Sequence, residues 1–255
     1  MLRKSLERTK LGKTADFRWR GGEVMRIEAF SDAVFAFSVT LLVVSLEVPK
    51  TFNELQVAMK GFIAFALSFT LLIWIWYNHY VFFRRYGLQD AYTVVFNALL
   101  LFVVLFYIYP LKFLATLVVG SFMGSELAVH GLNGESLPVI EPGQSASLMM
   151  VYGTGFLLVF LCFALMYVHA YRKRVELELN GFELFDTITE VQEHMLYAFV
   201  GTIAVIVAYF IGDTHAFVSS LPYWLIGPFM AWHGSSRGKK RRGLAHTKAE
   251  KSVEK

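Results

Sequence analysis

The chain has 255 residues, a formal net charge of +4, a single cysteine and 24 Phe. Leaving out its 12 Tyr and counting its 19 Gly, about 59% of it is apolar, against roughly 45–50% for soluble domains. That balance, with charged residues at only 17%, excludes a soluble globular domain, a disordered or collagen-like chain and a disulfide-stapled secreted module, since the lone Cys162 has no partner within the chain.

Residues 1–27 form a basic segment without the apolar core of a cleaved signal peptide, which leaves insertion to the spans that follow. Six stretches approach the roughly 20 residues that a helix needs to cross the hydrocarbon core. The first, 28–48, is uncharged from Ala33 to Leu46 and carries Glu28, Asp32 and Glu47 toward its ends. The second, 61–83, is interrupted only by His79. The third starts near residue 91, passes Asn97 and reaches Tyr109-Pro110, with a continuation toward Val119. An acidic, lysine-poor loop, 120–145, follows, and its pattern predicts no particular structure. The fourth and fifth spans cover 147–171 and 195–212. The sixth, 217–232, is short and holds Pro222 and the pair Gly227-Pro228, which predicts a kinked or partly re-entrant span. Continuous apolar runs, rather than alternation over about ten residues, point to helices and not to a barrel. The expected architecture is an all-α integral membrane protein of six transmembrane helices. Its membrane domain covers 28–233, between the basic segment 1–27 and a basic tail, 234–255, without regular structure.

Lysine and arginine assign the orientation. Of 24 such residues, 21 lie before the first span, between the second and third, between the fourth and fifth, or after the sixth. Only Lys50, Lys60 and Lys112 fall in the alternate connections. By the positive-inside rule both termini are cytoplasmic, which requires an even number of spans. The cluster 238–242 reads more simply as a topology determinant in contact with anionic lipid than as a nucleic-acid patch. The lipid bilayer is therefore an expected partner, and nucleic acid is not.

Ionisable residues inside a span are costly and face protein or water. Counting turns from the cytoplasmic end places Arg26 and Asp32 of the first span, Trp76 and His79 of the second and Asn97 of the third at similar depth. Together they make a polar knot at the inner end of the bundle. It reads either as a lock between helices or as a participant in permeation or proton sensing, the lock being favoured. A projection at 100° per residue gathers Phe30, Ala33, Phe37, Thr40, Leu41, Val44 and Val48 on one face of the first span. Ser31, Ser38 and Ser45 form a heptad-spaced stripe, and Asp32 points roughly opposite the apolar face. Periodicity alone assigns that face to core or lipid more readily than to a pore. The HExxH, GxSxG, P-loop and CxxC patterns are absent from the sequence, so neither an enzyme, a cofactor nor a bound metal is expected.

The run Arg26-Ile-Glu-Ala-Phe30-Ser31-Asp32 fits an RxxxFSD pattern at the start of a first membrane span. With Ser68-Phe69, Trp76-Tyr-Asn-His79, Asn97 and Tyr109-Pro110, it resembles the endolysosomal potassium channel (transmembrane protein 175) family and its prokaryotic relatives, over roughly 26–110. That resemblance implies a potassium-selective cation channel of the bacterial single-repeat type, a homotetramer in the plasma membrane whose first helices line the pore without a TVGYG filter. It places Phe37 at an apolar constriction where the family typically has Ile or Leu, Thr40 at a hydroxyl layer linked to selectivity, and Leu41 and Val44 along the lining. It assigns Arg26, Phe30, Ser31 and Asp32, with Trp76, His79 and Asn97, to helix packing. Phe37 departs from the family pattern, which together with the lack of a carbonyl filter implies modest selectivity. A secondary transporter, or a membrane scaffold recruiting a partner through its basic tails, is the alternative.

Overall fold

The computed structural model describes residues 17–44, 49–123, 128–130 and 136–253. Five long helices carry the membrane domain: α1 (Arg26–Val44), α2 (Phe52–Tyr86), α3 (Ala91–Met123), α4 (Ser145–Arg172) and α5 (Gly181–Ile211). Between α3 and α4, β1 (Ala128–His130) pairs antiparallel with β2 (Ser136–Pro138), with Val129 opposite Leu137. After α5 come a 3₁₀ segment, Asp213–Ser220, then α6 (Leu221–Trp224) and α7 (Ile226–Val253).

Helices α2 to α5 are each long and apolar enough to cross a membrane. Helix α2 starts earlier than predicted, because Thr51 accepts from the Glu54 N–H while the Glu54 carboxylate takes the Lys50 N–H, a capping pair that adds residues 52–60. It stops at Gly87, whose left-handed φ of 60° lets its N–H return to the Phe83 carbonyl. Pro110 lies inside α3 without ending it, as is tolerated where neighbouring helices cover the freed carbonyl.

Helix α5 is the largest departure from the sequence reading. It begins 14 residues before the predicted span, at Gly181, on a capping box in which Asn180 accepts from Glu183 N–H and Glu183 accepts from Asn180 N–H. Its most extensive partner is α4. Gly201 lies against the Leu157 backbone, and a Cβ there would come within 3.0 Å of the Leu157 nitrogen, the close approach that small residues permit between membrane helices.

The predicted sixth span is not one continuous helix. The stretch 213–224 is a 3₁₀ segment with a non-helical His215 followed by the four-residue α6, in which Pro222 supplies no N–H. Its course is nevertheless fixed at both ends. The Asp213 carboxylate accepts from Ala146 N–H at the start of α4, while Arg241 pairs with Asp186 near the start of α5. The chain from 213 to 241 therefore runs back along the whole length of the bundle. The basic tail is also helical as far as Val253, where irregular structure was expected. Tertiary contacts give the reason: Arg237 bonds Gln192 and covers the Phe185 ring, and Arg241 pairs with Asp186 at 3.0 Å and covers Phe182. Arg20 meets Glu183 at 2.7 Å, so both described ends of the chain lie at the same end of the bundle.

The α2–α3 connection is held by Asp90, which accepts from the Thr93 N–H and hydroxyl, from His169 at 2.6 Å and from Lys173 at 3.1 Å. Partial burial alone would raise its pKa, but these hydrogen bonds outweigh it and hold the carboxyl well below the usual carboxylate range. A depressed carboxylate adds stability above its unfolded pKa of about 3.9, lost as pH falls below that value. Asp90→Asn keeps the cap and loses the charge, so it is expected to cost about 1 kcal/mol at pH 7, the part-exposed setting limiting the effect. The difference from wild type narrows below about pH 4. Thermal unfolding of the detergent-solubilised protein across that range checks this.

Candidate functional site

Helix α1 has two unlike sides. Ser31, Phe35, Ser38 and Leu42, spaced 4, 3 and 4 apart, are all buried against α2 and α3. Both serine hydroxyls donate within the helix, Ser31 to the Ile27 carbonyl and Ser38 to that of Val34, which lets Ser38 pack as a small residue and leaves the Ser31 oxygen to accept from a neighbouring helix. Phe35 and Leu42 enter a core shared with Leu72, Leu100, Val104 and Phe163. The other side is open: Phe30 is 63% and Phe37 56% exposed, and Ala33, Ala36 and Thr40 are exposed beside them. Thr40 donates to the Ala36 carbonyl, which leaves its oxygen lone pairs turned to that side.

At the start of α1 two polar networks tie it to its neighbours. In the first, Trp76 Nε1 donates to Asp32 Oδ1 at 2.8 Å, and the Trp76 ring stacks on Tyr80. In the second, Asn97 Nδ2 donates to Ser31 Oγ at 2.9 Å, and Asn97 Oδ1 takes the remaining bond at 2.8 Å from His79 Nε2. With the amide so oriented, Nε2 carries the imidazole proton. Ser31, His79 and Asn97 are all buried, and Phe35 and Phe83 pack on the imidazole. Each polar group thus has a partner, which is what makes such a network tolerable in an apolar interior.

A second polar layer lies at the same end and was read from the sequence only as charged connections. Glu183, 1% exposed, accepts from the Arg20 guanidinium and from Arg18 N–H at 2.8 Å. Arg85 meets Glu190 at 2.6 Å, Arg84 approaches the buried Glu28 at 3.6 Å, and Arg84 donates to the Gly21 carbonyl. Phe17, fully buried, sits under Arg20 and Arg85. Gly21 is required where the strand of chain 17–22 crosses α2, because a Cβ would come within 2.7 Å of the Phe83 carbonyl. The capping signature Asn180-x-x-Glu183 was the one local signal for this layer.

The structure thus brings Ser31, His79 and Asn97 together in one network and Asp32 and Trp76 in another. It leaves Arg26 and Phe30 exposed on the helix surface, outside both. The reason is angular: Arg26 is five residues from Ser31, some 140° around the helix, and Phe30 is 100° away. Of the four residues assigned to the lining, Phe37 and Thr40 are on the open face. Leu41 is half-buried against the core, and the side chain of Val44 lies outside the described residues, as do Ser45, Glu47 and Val48.

Four helices long and apolar enough to cross a membrane, and a first helix with an open apolar side and polar anchors at its base, define a multi-pass, predominantly helical membrane protein. The family model "Endosomal/lysosomal potassium channel TMEM175" matches residues 26–107. A protein of Marivirga tractuosa described as a potassium channel is 40% identical over 249 residues, which is 95% of this chain and 99% of that one. The crystal structure of a threonine-to-alanine variant of the potassium channel MtTMEM175, in complex with a nanobody–MBP fusion protein, is 38% identical, covers 90% of this chain and all of that one, and superposes with a TM-score of 0.75. A lysosomal potassium-selective channel TMEM175 homolog from Chamaesiphon minutus, at 24% identity and a TM-score of 0.51, shares the fold over 82% of this chain and 96% of its own. The chain belongs to the TMEM175 potassium channel family, as the RxxxFSD segment implied.

Proposed function

We propose that four copies of this chain assemble around a central axis as a passive, potassium-selective cation channel of a bacterial plasma membrane, with α1 lining the pore. The observation that carries this reading is the open face of α1: among the described residues Ala33, Phe37 and Thr40 are exposed, while Ser31, Phe35, Ser38 and Leu42 on the other side are buried. In a lone subunit that face would meet lipid; in a ring of subunits it faces the axis. Phe37 then forms an apolar constriction, Thr40 a hydroxyl layer beside it, Leu41 the edge of the lining and Val44 its continuation. The networks through Ser31, Asn97 and His79 and through Asp32 and Trp76 hold the helix at its base. Arg26 and Phe30, turned away from these networks, are free to meet a neighbouring subunit. An apolar constriction passes ions by a wetting equilibrium rather than by replacing their hydration shell, so potassium preference is modest.

The same proposal carries six crossings with both termini cytoplasmic. It is supported by the return of the 213–241 stretch along the bundle and by the basic residues collected at the end where Arg20 and Arg241 lie. The broken helix at 213–226 is the one feature that suits a coupled transporter, whose sites use interrupted helices in corresponding halves. Among the described residues no second break matches it.

Reconstitution in liposomes with a potassium gradient separates these readings. Unsaturated potassium flux is expected without a counter-ion, with a reversal potential that favours potassium over sodium. Flux that saturates and requires a coupled ion, or no flux at all, overturns the channel reading.

A further inference from the structure

We propose that the outward side of α7 binds one anionic phospholipid, its phosphate held by Ser236, Lys239 and Lys240 and an acyl chain lying on Phe229 and Trp232. Docking on α5 divides the basic cluster by direction. Arg237 bonds Gln192 and Arg241 pairs with Asp186, so these two cations are used within the subunit, and His233 lies beside Glu193 on the same side. Lys239 and Lys240 turn away from α5 and are exposed. With Phe229, Trp232 and Ser236 they share an arc of roughly 100° on that outward side.

The order of side chains along this arc is that of a lipid. Phe229 and Trp232 are 48% and 64% exposed with ring centroids 5.6 Å apart, an apolar pair that ends in a tryptophan, a residue enriched at membrane boundaries. Ser236 is one turn beyond Trp232 and the lysines about one turn further, about 10 Å in all. The headgroup layer is roughly 5–8 Å deep, and lysine stems are long enough to reach back into it. Among the described residues neither lysine has an ion pair and the Ser236 hydroxyl has no hydrogen bond, whereas Ser38, Thr70 and Thr202 donate to the carbonyl four residues back. A phosphate supplies both deficits, as acceptor for the hydroxyl and counter-charge for the lysines. A zwitterionic headgroup brings no net charge, and a soluble anion leaves Phe229 and Trp232 uncovered. The inference rests on α7 crossing the membrane as proposed above and not on α1 lining a pore, so its failure leaves the flux experiment unaffected.

The test is native mass spectrometry of the full chain released from micelles that hold equal amounts of palmitoyl-oleoyl phosphatidylglycerol and phosphatidylcholine, which share acyl chains and differ in charge. Wild type is expected to retain phosphatidylglycerol preferentially. Lys239→Ala and Lys240→Ala should each lower that preference about fivefold, the size of one lysine near an anionic surface, and the double variant should remove it. Ser236→Ala should lower it severalfold, through one charge-assisted hydrogen bond. Arg172→Ala removes an exposed cation elsewhere at the same end of the bundle and should leave the preference unchanged. Excess glycerol 3-phosphate, a headgroup without chains, should not displace the lipid. Equal retention of the two lipids by wild type, a preference unchanged in the lysine variants, or an equal loss in Arg172→Ala overturns the proposal. So does displacement by glycerol 3-phosphate.

Discussion

Replacing Glu183 by alanine is expected to destabilise the protein by about 3–5 kcal/mol, the range for removing one partner of a buried ion pair. The carboxylate is 1% exposed and accepts from Arg20 Nη2 at 2.7 Å, Arg20 Nη1 at 3.2 Å, Arg18 N–H at 2.8 Å and Asn180 N–H at 3.0 Å. Its loss leaves the Arg20 guanidinium, whose side chain is only 11% exposed, with backbone carbonyls but without its counter-charge, opens the cap of α5 and loosens the segment 17–22 that Phe17 anchors. Glu183→Gln keeps the shape and most of the hydrogen bonds but removes the charge, so it should fall between alanine and wild type. Denaturant unfolding in mixed micelles measures both. An alanine variant within about 1 kcal/mol of wild type would show that the segment contributes little, since that is the size of a surface pair.

The same residue explains where the sequence was hard to read. Spans without any Asp, Glu, Lys or Arg, as in 91–110 and 147–171, stand out because no formal charge in them competes with the hydrophobic signal. The first half of α5 was missed because Glu183, Asp186, Glu190 and Glu193 make 181–194 look like a soluble connection. Each of the first three is neutralised by an arginine remote in sequence: Arg20, Arg241 and Arg85. His233 approaches Glu193 from the tail. Pairings at such separations leave no trace in a local window, although the capping box at Asn180 did. The helical tail was hidden for the same reason, because its order depends on Asp186, Gln192 and two phenylalanine rings of α5.

The polar anchors of α1 were legible because membrane depth is a coordinate that the sequence carries. Counting turns from the interface put Arg26, Asp32, Trp76, His79 and Asn97 at one level, and the structure hydrogen-bonds His79 to Asn97 and Trp76 to Asp32, with Ser31 joining Asn97. Depth does not give azimuth, and Arg26 shares the level while pointing elsewhere. The 100° projection supplied azimuth for the rest of α1, separating the buried serines from Phe37 and Thr40. It placed Leu41 on the open face, where the structure has it half-buried, because 41 lies at the border of that face and beside Leu42 in the core.

On the proposed assembly, Phe37→Ala is expected to raise potassium flux about tenfold and to lower the preference for potassium over sodium toward unity. A tenfold change corresponds to about 1.4 kcal/mol of barrier, a modest fraction of what a dewetted ring of four phenyl groups imposes on a hydrated cation. The fold should be unaffected, since Phe37 is 56% exposed in the subunit and takes no part in the core. Thr40→Ala removes a hydroxyl without widening the constriction, so it should lower the preference while leaving the flux near wild type. Val43→Ala is the comparison: it is also exposed but lies 120° around the helix from Phe37, at the edge of the open side marked by Ala36, so both quantities should move much less. Liposome flux and reversal potentials under paired potassium and sodium gradients distinguish these outcomes. If Phe37→Ala and Val43→Ala behave alike, the open face of α1 is a contact with lipid or with a neighbouring subunit, and the permeation path has to be sought along another helix.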